Sequence, residues 1–339
     1  MKFRWTDRLP GLVVVLLLAA VAVPLGRLVP VVGGPVFGIV LGVLVGLLVP
    51  VVRSEGCRPG YDFASRHLLQ VSIVVMGTGL SLQQVVRVGG GSLPVMLGTL
   101  AVALGGAWLF GRLLGVRGDT QTLIGVGTAI CGGSAIAAAT AAIGAKRSSV
   151  AYAMATIFTF NVVAVLAFPP LGHLLGLSAE SFGLWAGTAI NDTSSVVAAG
   201  YAYGPEAGDQ ALVVKLTRSL MLVPIVLGLV ILKSRREARA NVSVGATKGL
   251  PWRRMVPLFL LGFIAAAGLR SAGLIPSGWQ PNLSLLGTFL ITSALVGIGL
   301  SLRPAELRSA GVRPLLLGAI LWISVALSSL ALQWATGTL

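Results

Sequence analysis

Long apolar runs recur along the whole 339-residue chain, and nothing constrains its fold more. A run of about 20 apolar residues is what an α-helix needs to cross a bilayer. Eleven can be marked, near 10–31, 33–52, 67–80, 92–111, 121–145, 148–170, 181–203, 210–232, 255–273, 283–301 and 314–334. Only 10% of residues are charged and 55% are hydrophobic, where a soluble domain carries about 25% charged residues. The sequence therefore predicts an all-α polytopic membrane protein with about 9–11 transmembrane segments, forming one integral membrane domain over 1–339. The first run follows Lys2, Arg4 and Arg8 and is not closed by a small-residue cleavage site. It reads as an uncleaved first span.

The net charge of +15 does not indicate nucleic acid. The basic residues lie between the spans, as the positive-inside rule requires, rather than on one face or arm. With the N-terminus cytosolic and segments 121–145 and 181–203 re-entrant, Arg27, Arg87 and Arg270 fall outside. Lys215 and Arg218 lie within a span, and the other twenty of the 25 basic residues fall inside. If both segments cross fully, the inside count drops to eighteen, so the re-entrant arrangement is favoured. Either way the basic stretch 233–254 is a cytosolic loop between two halves. Tryptophans near span ends, such as Trp5, Trp252 and Trp279, fit an interfacial belt.

Two internal similarities suggest inverted repeats. "MGTGLSLQQVVRVGGGSLPVMLGTL" (76–100) returns as "VGIGLSLRPAELRSAGVRPLLLGAI" (296–320), and "GTAICGGSAI" (127–136) returns as "GTAINDTSSV" (187–196). Inverted repeats with broken helices build the midplane sites of secondary transporters, where half-helix ends present free backbone groups. Gly132 and Gly133 break the first copy, with Ser134 expected as the N-cap of the next half-helix. A packing role for the small residues is the alternative. In the second copy Asn191, Asp192, Thr193 and Ser194 form a polar cluster inside an apolar segment. A buried carboxylate is costly in a membrane. Asp192 is read as the ion-coupling residue with Asn191, taking a proton or, with Asn191 and Thr193, Na⁺; it is also a natural cap for a half-helix.

Lys215 and Arg218 share one face of the span near 210–232. They are expected to attract an anionic substrate or pair with Asp192, the alternative being that they snorkel to the interface. The substrate-binding set is thus Thr128, Cys131, Gly132, Gly133, Ser134, Thr188, Asn191, Thr193, Ser194, Lys215 and Arg218. Asn161, a lone amide within a span, is a neighbour of the site or a helix–helix contact. Cys57 and Cys131 make no disulfide framework. With His67 and His173 they offer no metal spacing, and no cofactor is expected. No Ser/His, Cys/His or paired-carboxylate set appears, so the chain does not read as an enzyme.

The central motifs, "GTAICGGSAIAAATAAIGAK", "FTFNVVAVLAFPPLGHLLGLS", "GLWAGTAINDTSSVVAAG" and "VVKLTRSLMLVPIVL", resemble the YeiH-like family of bacterial membrane proteins, whose usual label is sulfate exporter. The match is dense from about 70 to 232. The resemblance implies an inner-membrane transporter related in fold to cation/proton antiporters and bile-acid-type symporters. The expected activity is alternating-access transport of a small anion, sulfate or another sulfur oxyanion, coupled to H⁺ or Na⁺. The expected partners are that anion, the coupling ion, the lipid bilayer and a second copy of the chain. A channel with Gly-rich re-entrant loops is the alternative.

Overall fold

A computed structural model describes residues 7–28, 33–239, 258–301 and 311–339, and all regular structure in them is helical. Helices satisfy every interior backbone group within one segment, which a bilayer core demands. In chain order they are α1 (Leu9–Leu28), α2 (Gly33–Leu48), α3 (Arg58–Phe63), α4 (Leu69–Gly77), α5 (Leu82–Leu113), α6 (Asp119–Ala129), α7 (Gly133–Ile143), α8 (Arg147–Leu174), α9 (Ala179–Ala189), α10 (Thr193–Tyr203), α11 (Pro205–Ser219), α12 (Leu222–Arg239), α13 (Leu258–Ser271), α14 (Gln280–Ser301) and α15 (Val312–Thr336). A π-helical turn, Ala64–Leu68, joins α3 to α4. Among the described residues, six stretches are long and apolar enough to cross a membrane: Leu9–Gly26, Leu82–Leu113, Ser148–Leu174, Pro205–Leu232, Gln280–Ser301 and Val312–Thr336.

Contacts between distant helix ends sort the termini into two faces. At one face the Arg8 guanidinium lies over the Phe63 ring, 4.9 Å from its centroid. Arg313 reaches the turn at Gly115 there. At the other face Gln280 Nε2 donates to the Thr78 carbonyl at 2.8 Å. The Leu82 N–H donates to Ser271 Oγ at 2.6 Å, and Ser181 Oγ donates to the Thr338 carbonyl at 2.9 Å. The 28 residues of α8, about 42 Å of helix, run from the first face to the second.

Two segments do not cross. The N–H of Lys146, just after α7, donates to Asp119 Oδ2 at the start of α6, at 3.1 Å. The α6–α7 pair therefore returns to the face it left. Tyr203, at the end of α10, stacks on Phe182 near the start of α9 with centroids 3.9 Å apart. Its hydroxyl donates to the Leu177 carbonyl. The α9–α10 pair thus returns to the opposite face. Residues 121–145 and 181–203 are re-entrant hairpins that enter from opposite sides.

The helices that carry the GxGLSL copies pack antiparallel, α14 along α4 and the turn before it, and α15 along α5. Gly287 of α14 faces Met76 of α4, while Gly297 faces Tyr61 of α3 and Ala64 of the π-helical turn before α4. Gly98 of α5 faces Leu332 of α15, and Gly106 faces Leu321. Each copy is a helix end followed by a helix start, although part of the second copy, 302–310, lies outside the described residues.

Some boundaries differ from the sequence reading. The third element begins at Arg58, not near 67, because Gly60, Tyr61 and Ala64 are buried and extend the helix into a polar stretch. Helix α5 begins at Leu82, not near 92, because Ser81 and Gln84 form a reciprocal capping box. Helix α12 continues to Arg239, so the basic stretch 233–254 opens as helix. The rest of it, with Lys248, Arg253 and Arg254, lies outside the described residues, as do Lys2, Arg4 and Trp5.

The largest buried cluster surrounds the hairpins, with Leu123, Ile136, Ile157, Phe168, Phe182 and Trp185 at its centre. A second joins α2, α4, α13 and α14 to α10 and α11 through Ile39, Ile73, Phe263, Ile291, Val197 and Leu212. Helices α10 and α11 therefore belong to both, and they carry the next features.

Candidate functional site: two hairpin tips at mid-depth

The two GTAI motifs fold into the same interruption by different means. Helix α6 ends at Ala129 and α9 at Ala189. Gly132 is the N-cap of α7 and Asp192 the N-cap of α10, so the 60-residue offset holds residue for residue at the helix boundaries. In the first copy the chain turns through Gly132 at φ +65°, ψ −122°. That conformation is open to glycine and strained for other residues. In the second copy Asp192 is extended, at φ −96°, ψ 144°. Its Oδ2 accepts from the Ser194 N–H at 3.1 Å and from the Ser194 hydroxyl.

The two tips touch. A Cβ on Gly132 would stand 3.5 Å from Asp192 Cβ and 3.6 Å from the Asn191 carbonyl carbon. Asn161 accepts the Asp192 N–H on its Oδ1 at 3.2 Å. It lies fourteen residues from the start of α8 and thirteen from its end. The meeting point is therefore about halfway between the two faces.

Four half-helix ends converge there. The C-terminal ends of α6 and α9 expose carbonyls that no intrahelical N–H can reach. Helix α11 supplies the donors. Lys215 Nζ donates to the Ile130 and Ile190 carbonyls, each at 2.8 Å. Arg218 donates from Nε to Ala129 at 2.6 Å, from Nη2 to Thr128 at 3.1 Å, and from Nη1 to Thr188. Both side chains are fully buried. A cation at a helix C-terminus is favoured by the dipole, and charge-assisted bonds are the strong ones. The pair thus faces the protein interior, as one of the two sequence readings expects, but with different partners. The two residues do not snorkel, and their donors go to backbone carbonyls rather than to the Asp192 carboxylate.

The N-terminal ends of α7 and α10 face the same point. Helix α10 is capped by Asp192, whereas the N-cap residue of α7, Gly132, has no side chain to cap with, and the Ala135 N–H of that first turn is matched to the Cys131 sulfur. Ser134 was expected to cap α7. It is instead the second residue of the helix and exposed, because the positive φ at Gly132 starts the helix two residues earlier. Thr188 turns away from the crossing: its hydroxyl contacts Ser329 Oγ at 2.7 Å and the Leu184 carbonyl at 2.6 Å. Only its carbonyl serves the site. Cys131 is buried beside the crossing, and Gly133, Asp192, Thr193 and Ser194 are partly exposed.

Three of the seven buried side-chain atoms without a partner among the described residues belong to the hairpin tips and Asn161. Thr128 Oγ1, Asn161 Nδ2 and Asn191 Oδ1 have none, although their residues are 1%, 3% and 1% exposed. Leaving such atoms unmatched costs about 1–3 kcal/mol each, so they indicate a place where a bound species completes the bonding. Asn161 is thereby a member of the site, not merely a helix contact. No lone amide in a span announces which hairpin it will meet, so only the fold reveals it.

The chain matches the family described as conserved hypothetical protein 698 over residues 10–318. A UPF0324 membrane protein of Streptococcus pyogenes serotype M6 is 42% identical over 334 residues, covering 97% of this chain and 98% of the relative. One from Fusobacterium nucleatum is 36% identical over 351 residues, covering 98% and 99%. One from Streptococcus pneumoniae is 42% identical over 336 residues, covering 96% and 97%.

Proposed function

The chain belongs to this family of UPF0324 membrane proteins, and on that premise we propose that it is a secondary transporter of a small anion. The observation that carries the reading is the contact of two oppositely entering hairpins at Gly132 and Asp192, halfway along α8. Half-helix ends meeting near a midplane can replace water around an ion while staying accessible by turns from either side. The N-terminus of α7 offers the N–H groups of Gly133 and Ser134 to an oxyanion. Lys215 and Arg218 neutralise the carbonyl ends that would repel it. Asp192, partly exposed at the same point, takes the coupling H⁺ or Na⁺. The protein acts in the inner membrane with its N-terminus and the Lys146 face cytosolic, where most basic residues then lie. It performs no covalent chemistry.

The test is flux in vesicles containing the purified protein, with labelled sulfate and sulfite as the first substrates. A transporter gives saturable flux with counterflow, dependent on a gradient of H⁺ or Na⁺. Flux that neither saturates nor shows counterflow indicates a channel. Unchanged flux and ion dependence in both Asp192→Ala and Lys215→Ala refutes the site.

A further inference from the structure

The tips present two unmatched atoms of opposite kind. The Asp192 N–H points at Asn161 Oδ1, which fixes the orientation of that amide and leaves Nδ2 as a free donor. Asn191 Oδ1 is a free acceptor. With the N–H groups of Gly133 and Ser134 at the start of α7, the crossing offers several donors and one buried acceptor. An oxyanion without hydrogen satisfies the donors and leaves Asn191 Oδ1 facing another oxygen. An oxyanion that carries one O–H satisfies both.

The charges point the same way. Lys215 and Arg218 bring two positive charges to the carbonyl ends, and Asp192 brings one negative charge. Two helix C-termini and two N-termini contribute about half a charge each, of opposite sign, and cancel. Counted with Lys215 and Arg218 protonated and with Asp192 ionised and free of its coupling ion, the net is one positive charge. A monoanion brings the crossing to neutrality, whereas a dianion leaves an uncompensated negative charge inside a low-dielectric site beside Asp192.

We propose that the crossing selects a hydrogen-bearing monovalent oxyanion, of the hydrogen sulfite or hydrogen carbonate kind, over the sulfate dianion. The inference rests on the anion-transport reading above and narrows its substrate class. Asn161 is the donor that reads the oxyanion and Asn191 the acceptor that reads its proton.

The experiment is thermal unfolding of the full purified chain in detergent, titrated with sulfite, hydrogen carbonate, sulfate and nitrate at constant ionic strength. A species that binds the native form raises the melting temperature by mass action. Sulfite and hydrogen carbonate are expected to act at concentrations at least about tenfold below sulfate and nitrate, because the dianion is left uncompensated and nitrate has no proton to give. The effect of sulfite is expected to weaken as rising pH removes its proton. Asp192→Asn, which raises the net charge by one, is expected to admit sulfate. Sulfate as effective as sulfite on the native sequence overturns the charge selection, and nitrate as effective as hydrogen carbonate overturns the role of Asn191. If none of the four shifts the transition, the anion reading itself falls.

Discussion

Asp119 accepts the N–H of Lys146 across 27 residues of chain, and that one bond returns a 25-residue apolar stretch to the face from which it came. By the same logic Tyr203 returns the second stretch to Leu177. Side-specific labelling checks both. With Cys57 and Cys131 replaced by Ser, single cysteines at Arg117 and Lys146 are expected to react from one side of a sealed vesicle. Single cysteines at Leu175 and Gly204 are expected to react from the other. Labelling of Arg117 and Lys146 positions from opposite sides rules out the hairpin.

The cations of α11 hold the two tips from behind. Lys215→Met leaves the Ile130 and Ile190 carbonyls buried without a donor, and a charged hydrogen bond is worth about 1.5–3 kcal/mol. The expected outcome is a loss of about 3 kcal/mol or more, read as a lower unfolding midpoint in detergent. Arg218→Met, which strips carbonyls from Thr128, Ala129 and Thr188, is expected to lose at least as much. Had these residues only met substrate, removing them would lower transport and leave stability nearly unchanged.

Adjacent glycines at the first tip should respond differently. Gly132 holds φ +65°, and an added Cβ would press on Ile157 Cγ2 at 3.3 Å. Gly132→Ala is expected to cost about 1–3 kcal/mol in backbone strain and to abolish transport by displacing the tip from Asp192. Gly133 has helical φ, and its added Cβ would meet the flexible end of Met154 at 3.4 Å. Gly133→Ala is expected to fold normally. Equal melting temperatures for the two variants would contradict the assigned turn.

Much of this was legible in the sequence, for physical reasons. The duplicated GTAI at an offset of 60 residues marked both interruptions, because a Gly–Gly pair and an Asn–Asp pair both stop a helix. Counting arginines and lysines favoured re-entrance, since Lys146 and Arg147 sit badly on an outer face. That Lys215 and Arg218 turn inward was legible, because cations in an apolar helix sit badly on the outer side. Their partners were not, because main-chain carbonyls look alike in every sequence. Ser134 was misplaced because a Ser after two glycines looks like a cap, while the positive φ of Gly132 had already begun the helix. Asn161 stood 31 residues from Asp192, and periodicity within one helix cannot say which distant turn it meets.

Asp192 has two tasks that substitution can separate. As N-cap of α10 it accepts from the Ser194 N–H, and a cap is worth about 1 kcal/mol. As the coupling group it must carry a charge that a proton or cation can neutralise. Asp192→Asn keeps an oxygen for the cap and removes the charge. It is expected to melt within about 0.5 kcal/mol of the native sequence while transport loses its dependence on the H⁺ or Na⁺ gradient. Asp192→Ala removes both and is expected to be about 1 kcal/mol less stable, with the same loss of coupling. If Asp192→Asn keeps full ion dependence, the carboxylate is a cap alone, and coupling resides elsewhere in the crossing. The pair of variants is decisive because Asn161, not the Asp192 side chain, accepts the Asp192 N–H, so neither substitution unties the tip from α8.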